Sequence, residues 1–349
     1  MNQALNSTCL IVGLGSIGKT HLTHLLKFAG KIVVVDPNPQ TLDYIQAIEL
    51  PIPIEYHSSI GLVSRDDLIE FAVISNWGPD HFSLIQKATK LGVRRFLIEK
   101  PLVSKLHDLE ELKKANLTGE LKIITNMTIS QGPLVSRVLN LQLNKKLGQV
   151  QTILVSGGAK CLVTNGIHYI GLASKIFQNH PVSVVSLIQN HPINPRSVDF
   201  MFAEGNSNWN YGKGKNLSIS FSNNSHVQLS ISIICKYGKI IIEEDLATVY
   251  CISEEDRKKI DKPSRTFYSR EILDTFKPYH FPNGLDGLGG LYAQIQSLDE
   301  EVWNNFEDGY KATEAVIGML ISSETSSKVD LPFAPNVKEK YLSREWNIS

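Results

Sequence analysis

The first 125 positions alternate short, almost wholly apolar runs with stretches whose apolar residues recur every three or four positions. The runs Cys9–Val12, Ile32–Val35, Phe71–Ser75, Phe96–Ile98 and Leu121–Thr125 read as strands covered on both faces. Between them, Lys19–Ala29 carries Leu22, Leu25 and Leu26. Thr41–Ile48 carries Leu42, Ile45 and Ile48, and His81–Leu91 carries Phe82, Ile85 and Ala88. That is the spacing of amphipathic helices. Strand–helix–strand repetition predicts right-handed crossovers and a parallel sheet.

After about residue 125 the pattern changes. Val138–Leu147 is helix-like and stops at Gly148, and a helix from about Asn165 carries His168, Leu172 and Ile176. From about residue 182 strands follow one another: Val182–Ile188, Leu217–Phe221, Val227–Ile233, Lys239–Glu243 and Thr248–Ile252. Val227, Leu229, Ile231 and Ile233 alternate with Gln228, Ser230 and Ser232, the period of a strand with one wet face. Consecutive strands of this kind predict a largely antiparallel sheet. Asp199–Lys215, rich in Gly and Asn, reads as a loop, and Asn305–Ser326 reads as a long helix. The chain is therefore expected to be α/β, with one domain over 1–125 and a second over 126–349. Ile234 and Ile240–Ile242 place aliphatic groups on both faces of the second sheet. A contiguous apolar patch marks a partner surface, so a homodimer or homotetramer joined through this sheet is expected.

Charge narrows the partners. Lys and Arg number 35, as do Asp and Glu. A net charge of zero without a basic stripe argues against nucleic acid. No stretch approaches the ~20 apolar residues of a membrane helix. The opening MNQALNSTCLIVGLGSIG has no basic segment ahead of its short apolar run, so a cytoplasmic location is expected. Cys9, Cys161, Cys235 and Cys251 form no C-x-x-C pair and have no His at zinc-ligand spacing. They read as buried thiols of a reducing compartment, and no metal is expected.

Two strings carry chemistry. Gly13-Leu14-Gly15-Ser16-Ile17-Gly18 follows a buried strand and opens a helix. The first glycine permits the tight turn, the second lets the backbone approach a pyrophosphate, and the third allows close helix–strand packing. The helix start supplies free N–H groups. Asp36 ends the second strand, 18 residues past Gly18. Its carboxylate suits the ribose hydroxyls of the adenosine half and repels a 2′-phosphate, so NAD is favoured over NADP. Glu99-Lys100-Pro101 directly follows the fourth predicted strand. Ligands of open α/β sheets sit beyond the carboxyl ends of strands, which puts Lys100 near the nicotinamide end.

With these strings the sequence resembles the Gfo/Idh/MocA oxidoreductases, which include glucose–fructose oxidoreductase and inositol dehydrogenase. The resemblance is carried by IVGLGSIGKTHL at 11–22, SNWGPDH at 75–81 and LIEKPL at 97–102. It continues through Asn126 with Pro133, NGIHYI at 165–170, and ATEAVI, SSET and VDLP near the end. It implies a Rossmann domain followed by an α/β domain with an open-faced sheet. It also implies that Gly13, Gly15, Ser16, Ile17, Gly18 and Asp36 hold the dinucleotide, with Ser75, Asn76 and His81 bordering its ribose and nicotinamide side. Glu99 would face the nicotinamide ribose, Lys100 would bond ribose and substrate hydroxyl, and Asn126 would lie along the cofactor edge. The Lys100–Pro101 bond is a candidate cis peptide.

His168 is the expected general acid/base, because an imidazole titrating near about 6.5 can take the hydroxyl proton as hydride leaves a secondary carbinol. Lys160, Thr164, Asn165 and Tyr169 flank it as candidate substrate contacts, and Trp77 is placed to flank the nicotinamide or a sugar face. The reading is an NAD(H)-dependent oxidoreductase of a sugar, sugar nucleotide or cyclitol, with Lys100 and His168 catalytic. Three positions depart from the family's common pattern. Thr164 stands where an Asp precedes the His, Gly171 where an acid follows it, and Met127 where an Arg follows Asn126. Either Asn165 and Thr164 share the positioning role, or Lys100 dominates, or turnover has been lost. The last would make the chain a non-catalytic dinucleotide-binding regulator, as a galactose-pathway repressor of the same fold is.

Overall fold

The computed structural model describes residues 7–48, 51–144, 146–190, 194, 199–260, 271–279, 287–296, 302–303 and 305–348. The chain divides into two units. One is Met1–Asn126 with Leu288–Thr313 and Lys338–Ser349, and the other is Met127–Gly287 with Glu314–Val337.

In the first unit, β1 (Thr8–Val12), β2 (Lys31–Val35), β3 (Ile54–His57), β4 (Ile69–Ile74), β5 (Arg95–Ile98) and β6 (Lys122–Thr125) form one sheet in the order β3-β2-β1-β4-β5-β6. All its pairs are parallel. This is the doubly wound dinucleotide-binding order, which reverses direction between β1 and β4. The apolar runs became the central strands because both their faces are covered: Cys9, Ile11, Ile32, Val34, Ala72, Val73, Phe96 and Leu97 are fully buried. β3 was not expected. Its four residues are only half-buried at the sheet edge, so it carries no apolar run.

Two later segments complete this core. Helix Gly287–Gln296 turns Leu288, Leu291, Tyr292 and Ile295 into the cluster of Cys9, Ile11, Leu22, Leu25 and Phe28, and Val302 and Trp303 join it. That spacing makes one apolar helix face, and burying side chains of this size contributes about 1.5–3 kcal/mol each. The expected limits of 126–349 for the second domain thus include two stretches whose apolar faces belong to the first unit. The reason is packing at long range, which local periodicity does not carry.

The second unit's strands are β7 (Val150–Gly158), β8 (Ser183–Asn190), β9 (Ala203–Asn210), β10 (Asn216–Ser222), β11 (Ser230–Cys235), β12 (Gly238–Glu243), β13 (Leu246–Cys251), β14 (Glu271–Phe276) and β15 (Val329–Asp330). Their order is β14-β13-β12-β11-β7-β10-β9-β8-β15. Every pair is antiparallel except β7 with β10. β9 lies inside Asp199–Lys215, which sequence assigns to a loop. Ala203, Ser207 and Trp209 are buried while Asn206, Asn208 and Asn210 are exposed, so the alternation exists in residues of poor strand propensity. Ladders to β8 and β10 on both sides impose the strand.

One face of this sheet is buried through Ile153, Val155, Trp209, Leu217, Ile219, Ile231, Ile233, Ile240 and Ile242. The other face follows from the register. Val185, Asn208, Ser218, Leu154, Ser232, Ile241 and Thr248 form one row across it, and Leu187, Asn206, Ser220, Ser156, Ser230, Glu243 and Leu246 form the next. It is a Ser- and Asn-rich surface with separated aliphatic groups, not the contiguous apolar patch expected. Ile240 and Ile242 point to the buried side, and only Ile241 to the open one. Val227, expected to face inward, is 72% exposed and precedes β11. The ladder starts at Ser230, after the chain has passed close over Gly157 and Gly158. All four cysteines are free and buried. Among the described residues no helix is long and apolar enough to cross a membrane.

Candidate functional site

The first residue beyond each central strand donates its N–H to the last carbonyl of the neighbouring strand. Gly13 bonds Val35 at 2.8 Å, Ser75 bonds Val12 at 2.9 Å, Glu99 bonds Ile74 at 2.9 Å and Asn126 bonds Ile98 at 2.9 Å. With Asp36 after β2, the expected cofactor residues therefore stand in one row along the carboxyl edge of β2, β1, β4, β5 and β6. At about 4.8 Å per strand that row spans roughly 19 Å.

The three glycines divide their work as the spacing requires. Gly13 has φ +92°, and a Cβ there would stand 2.7 Å from the Asn76 nitrogen. A Cβ on Gly18 would collide with the Gly13 carbonyl oxygen, whereas one on Gly15 would meet nothing within 4 Å. Gly15, Ser16 and Ile17 are exposed. Helix Ser16–Leu25 has no side-chain cap, so its first N–H groups are available to an anion. Replacing Gly18 by Ala is expected to cost about 1–3 kcal/mol as an overpacked contact and to abolish dinucleotide binding. Melting curves with and without NADH check both.

Asp36 is buried. Its Oδ2 accepts from the Leu14 N–H at 2.6 Å and its Oδ1 from the Asn38 N–H at 2.8 Å, which ties the carboxylate to the glycine turn. Ser75 donates to the Gly13 carbonyl at 2.7 Å, pinning the same turn from β4. The side-chain oxygens of Asn76 and Asn126 are buried and find no partner among the described residues. A bound polar ligand along this edge satisfies such atoms. Together with the open space over Gly15 and the uncapped helix start, they fit a dinucleotide.

His81 bonds the loops around it. Its ring is buried, with Nδ1 3.1 Å from the Pro101 and Leu102 carbonyls and Nε2 3.1 Å from that of Asn76. Burial pulls the imidazole below its ordinary value. A neutral ring carries one N–H, so it serves one side at a time. His81 braces the loops after β4 and β5.

Lys100 is half-buried, and the Lys100–Pro101 bond is cis. Glu99 is buried, and its Oε1 lies 2.9 Å from His21 Nε2 and 2.5 Å from Asn126 Nδ2. Burial alone would push the carboxyl up. The hydrogen bonds from His21 and the Asn126 amide and the nearby Lys100 ammonium outweigh burial and hold it at about 2. Sequence reasoning missed His21 and its other partner, the Tyr292 hydroxyl 2.7 Å from Nδ1. The His at the eighth position after Gly13 was present in the matching string, but its partner is 271 residues away.

In the second unit, helix Gly166–Phe177 buries every residue except His168 and Lys175. These are seven apart and share one stripe. His168 is half-buried and Thr164 buried. Asn165 closes the turn ahead of the helix, its Oδ1 accepting from the Cys161 N–H at 3.0 Å. Lys160 is half-buried on the preceding loop. Tyr169 is 4% exposed, and burial pushes its phenol above the ordinary value, so it packs in the interior. Met127 and Gly171, two of the departing positions, meet: a Cβ on Gly171 would stand 2.5 Å from Met127 Cε. The two replacements form one packing unit, in which the methionine occupies the room a side chain at 171 would need.

Residues 7–124 match the family model described as an oxidoreductase family with NAD-binding Rossmann fold, Gfo/Idh/MocA. A sequence comparison with curated proteins finds no match. Among solved structures the chain resembles levoglucosan dehydrogenase in complex with NADH, at 14% identity and TM-score 0.70, over 94% of this chain and 100% of that one. It resembles the WlbA dehydrogenase of Bordetella pertussis in complex with NADH and UDP-GlcNAcA, at 14% identity and TM-score 0.67, over 94% and 99%. It also resembles the transcriptional regulator Gal80p of Kluyveromyces lactis, at 16% identity and TM-score 0.71, over 94% and 92%. At these identities the likeness establishes the fold.

Proposed function

Because residues 7–124 belong to the Gfo/Idh/MocA oxidoreductases with their NAD-binding Rossmann fold, we propose that the protein is an NAD(H)-dependent oxidoreductase acting on a secondary alcohol or ketone carbon of a sugar, sugar nucleotide or cyclitol. The observation that carries this reading is the edge row itself, in which the glycine turn, Asp36, Asn76, Glu99, Lys100 and Asn126 follow one another along the carboxyl ends of adjacent strands. The complexes of levoglucosan dehydrogenase with NADH and of WlbA with NADH and UDP-GlcNAcA support the substrate class.

NAD bound along that edge supplies the hydride acceptor or donor. In the oxidative direction Lys100 donates a hydrogen bond to the substrate oxygen and stabilises the negative charge that develops on it. His168 takes the hydroxyl proton as the C–H pair departs as hydride, and the carbonyl forms. Reduction runs the same steps backwards. Incubation with NAD or NADH and a panel of sugars, cyclitols and sugar nucleotides, followed by nicotinamide absorbance, tests the proposal. Turnover of at least one compound supports it.

A second reading is favoured by the packing of Met127 over Gly171 and by the likeness to Gal80p. It makes the protein a regulator that binds the dinucleotide without turning it over. Tight NADH binding with no turnover across the panel supports that reading and overturns the first.

Two further expectations arise here. Asp36, held by the Leu14 and Asn38 amides, favours NAD over NADP by about tenfold or more through repulsion of a 2′-phosphate. Calorimetric titration of both cofactors decides it, and equal or tighter NADP binding rejects it. The open face of the second sheet, with Leu154, Val185, Leu187, Ile234 and Ile272 exposed, is proposed as the contact of a homodimer or homotetramer. Light scattering that returns 38.9 kDa at micromolar concentration rejects it.

A further inference from the structure

His21 is 0% exposed on a helix whose other inward residues include Leu22 and Leu25. An imidazole so placed must have both nitrogens satisfied, or it destabilises the fold. Here Nε2 meets Glu99 Oε1 at 2.9 Å and Nδ1 meets the Tyr292 hydroxyl at 2.7 Å. A carboxylate only accepts, so Nε2 carries the proton. When the ring carries that proton alone, Nδ1 accepts and the phenol donates to it. Burial keeps that phenol protonated, well above its ordinary value. The hydrogen bonds run one way, from Tyr292 O–H through His21 to Glu99.

This line reaches the candidate cofactor edge from behind. Helix Gly287–Gln296 brings Tyr292, whose ring stacks on His24 at 5.1 Å and lies 5.9 Å from Phe28. Its hydroxyl therefore has little freedom to leave Nδ1. Both His21 and Asn126 engage Oε1 of Glu99, and Oε2 takes no bond among the described residues. Nothing in the hydride chemistry uses Tyr292, yet a buried phenol is spent on one nitrogen of a buried imidazole whose other nitrogen is spent on one oxygen of one carboxylate.

We propose that His21 and Tyr292 are positioning residues that fix the Glu99 carboxylate so that its free oxygen meets the ribose hydroxyls of bound dinucleotide, Tyr292 acting only by holding His21 in its Nε2–H form. This rests on the reading of the edge row as an NAD site. The pair makes cofactor affinity depend on residue 292, which lies 193 positions beyond Glu99 in sequence.

Two measurements test it. Long-range 15N–1H spectra of protein labelled at histidine, with Tyr292→Phe and His21→Gln for assignment, read the ring without any cofactor. The expected result is an Nε2–H ring for His21 in the wild type, converted in part to Nδ1–H in Tyr292→Phe. A wild-type ring protonated at Nδ1, alone or together with Nε2, overturns the proposal. NADH fluorescence titration supplies the second readout. Tyr292→Phe is expected to weaken binding by about tenfold, the worth of one hydrogen bond to a charged group acting through a neighbour. His21→Leu is expected to weaken it further. His21→Gln, whose amide can donate to Glu99 and accept from Tyr292, should recover most of the loss, a rescue that mere space-filling would not require. Wild-type binding with an unchanged affinity in Tyr292→Phe overturns the inference alone. Failure of the wild type to bind NADH overturns the cofactor reading and this inference with it.

Discussion

Lys100→Met is expected to give a folded protein that still binds NADH through the glycine turn and turns over on the order of 10²–10³-fold more slowly, or not at all. Methionine keeps the length and apolar stem of lysine and removes the ammonium. Lys100 lies beyond β5 and half-buried, and Glu99 keeps its bonds to His21 and Asn126 without the ammonium. The transition state has a stake in that charge, because the substrate oxygen gains negative charge as hydride departs. Paired binding and single-turnover measurements separate the two effects. Wild-type turnover in this variant would remove Lys100 from the mechanism.

His168→Ala is expected to slow turnover by on the order of 10²–10⁴-fold, the usual worth of a positioned acid/base. It should also flatten the limb of the pH–rate profile that reports the proton carrier. His168 and Lys175 are the only residues of their helix not fully buried, so the substitution removes little packing and stability should hardly move. A wild-type rate at every pH would assign the proton step elsewhere. Restoring an acid near His168 displaces Met127, because a Cβ on Gly171 would stand 2.5 Å from Met127 Cε. Gly171→Asp therefore requires the Met127 terminus to move, and shortening Met127 at the same time makes that room.

What the sequence revealed and what it hid follow one physical rule. The glycine turn, Asp36 and Glu99-Lys100-Pro101 are legible because each sits at a strand end and the strands announce themselves as apolar runs. β9 is hidden because Asn206, Asn208 and Asn210 have poor strand propensity and are held by ladders on both sides. His21 reads as one more polar residue on an amphipathic helix until Tyr292 is folded against it. His81 sits among the loops its string suggested, but its bonds to the carbonyls of residues 76, 101 and 102 appear only once those loops are folded together. The second sheet shows the same limit. Three consecutive isoleucines, Ile240–Ile242, suggest two apolar faces, but the pleat sends two of them inward and leaves serines and asparagines to line the surface.

The return of residues 288–303 to the first unit has a consequence for synthesis. The sheet of β1 to β6 is complete once residue 125 has been made, but Leu288, Leu291, Tyr292, Ile295, Val302 and Trp303 of its core have not yet been made. At ~5–20 residues per second the ribosome needs about 9–35 s to add residues 127–303. Throughout that interval the nascent sheet presents Leu14, Leu25, Phe28 and Phe71 without their cover. A fragment ending at residue 126 keeps that sticky surface permanently. It should aggregate or bind chaperones when expressed alone, and co-expression of a peptide spanning 287–303 should make it more soluble.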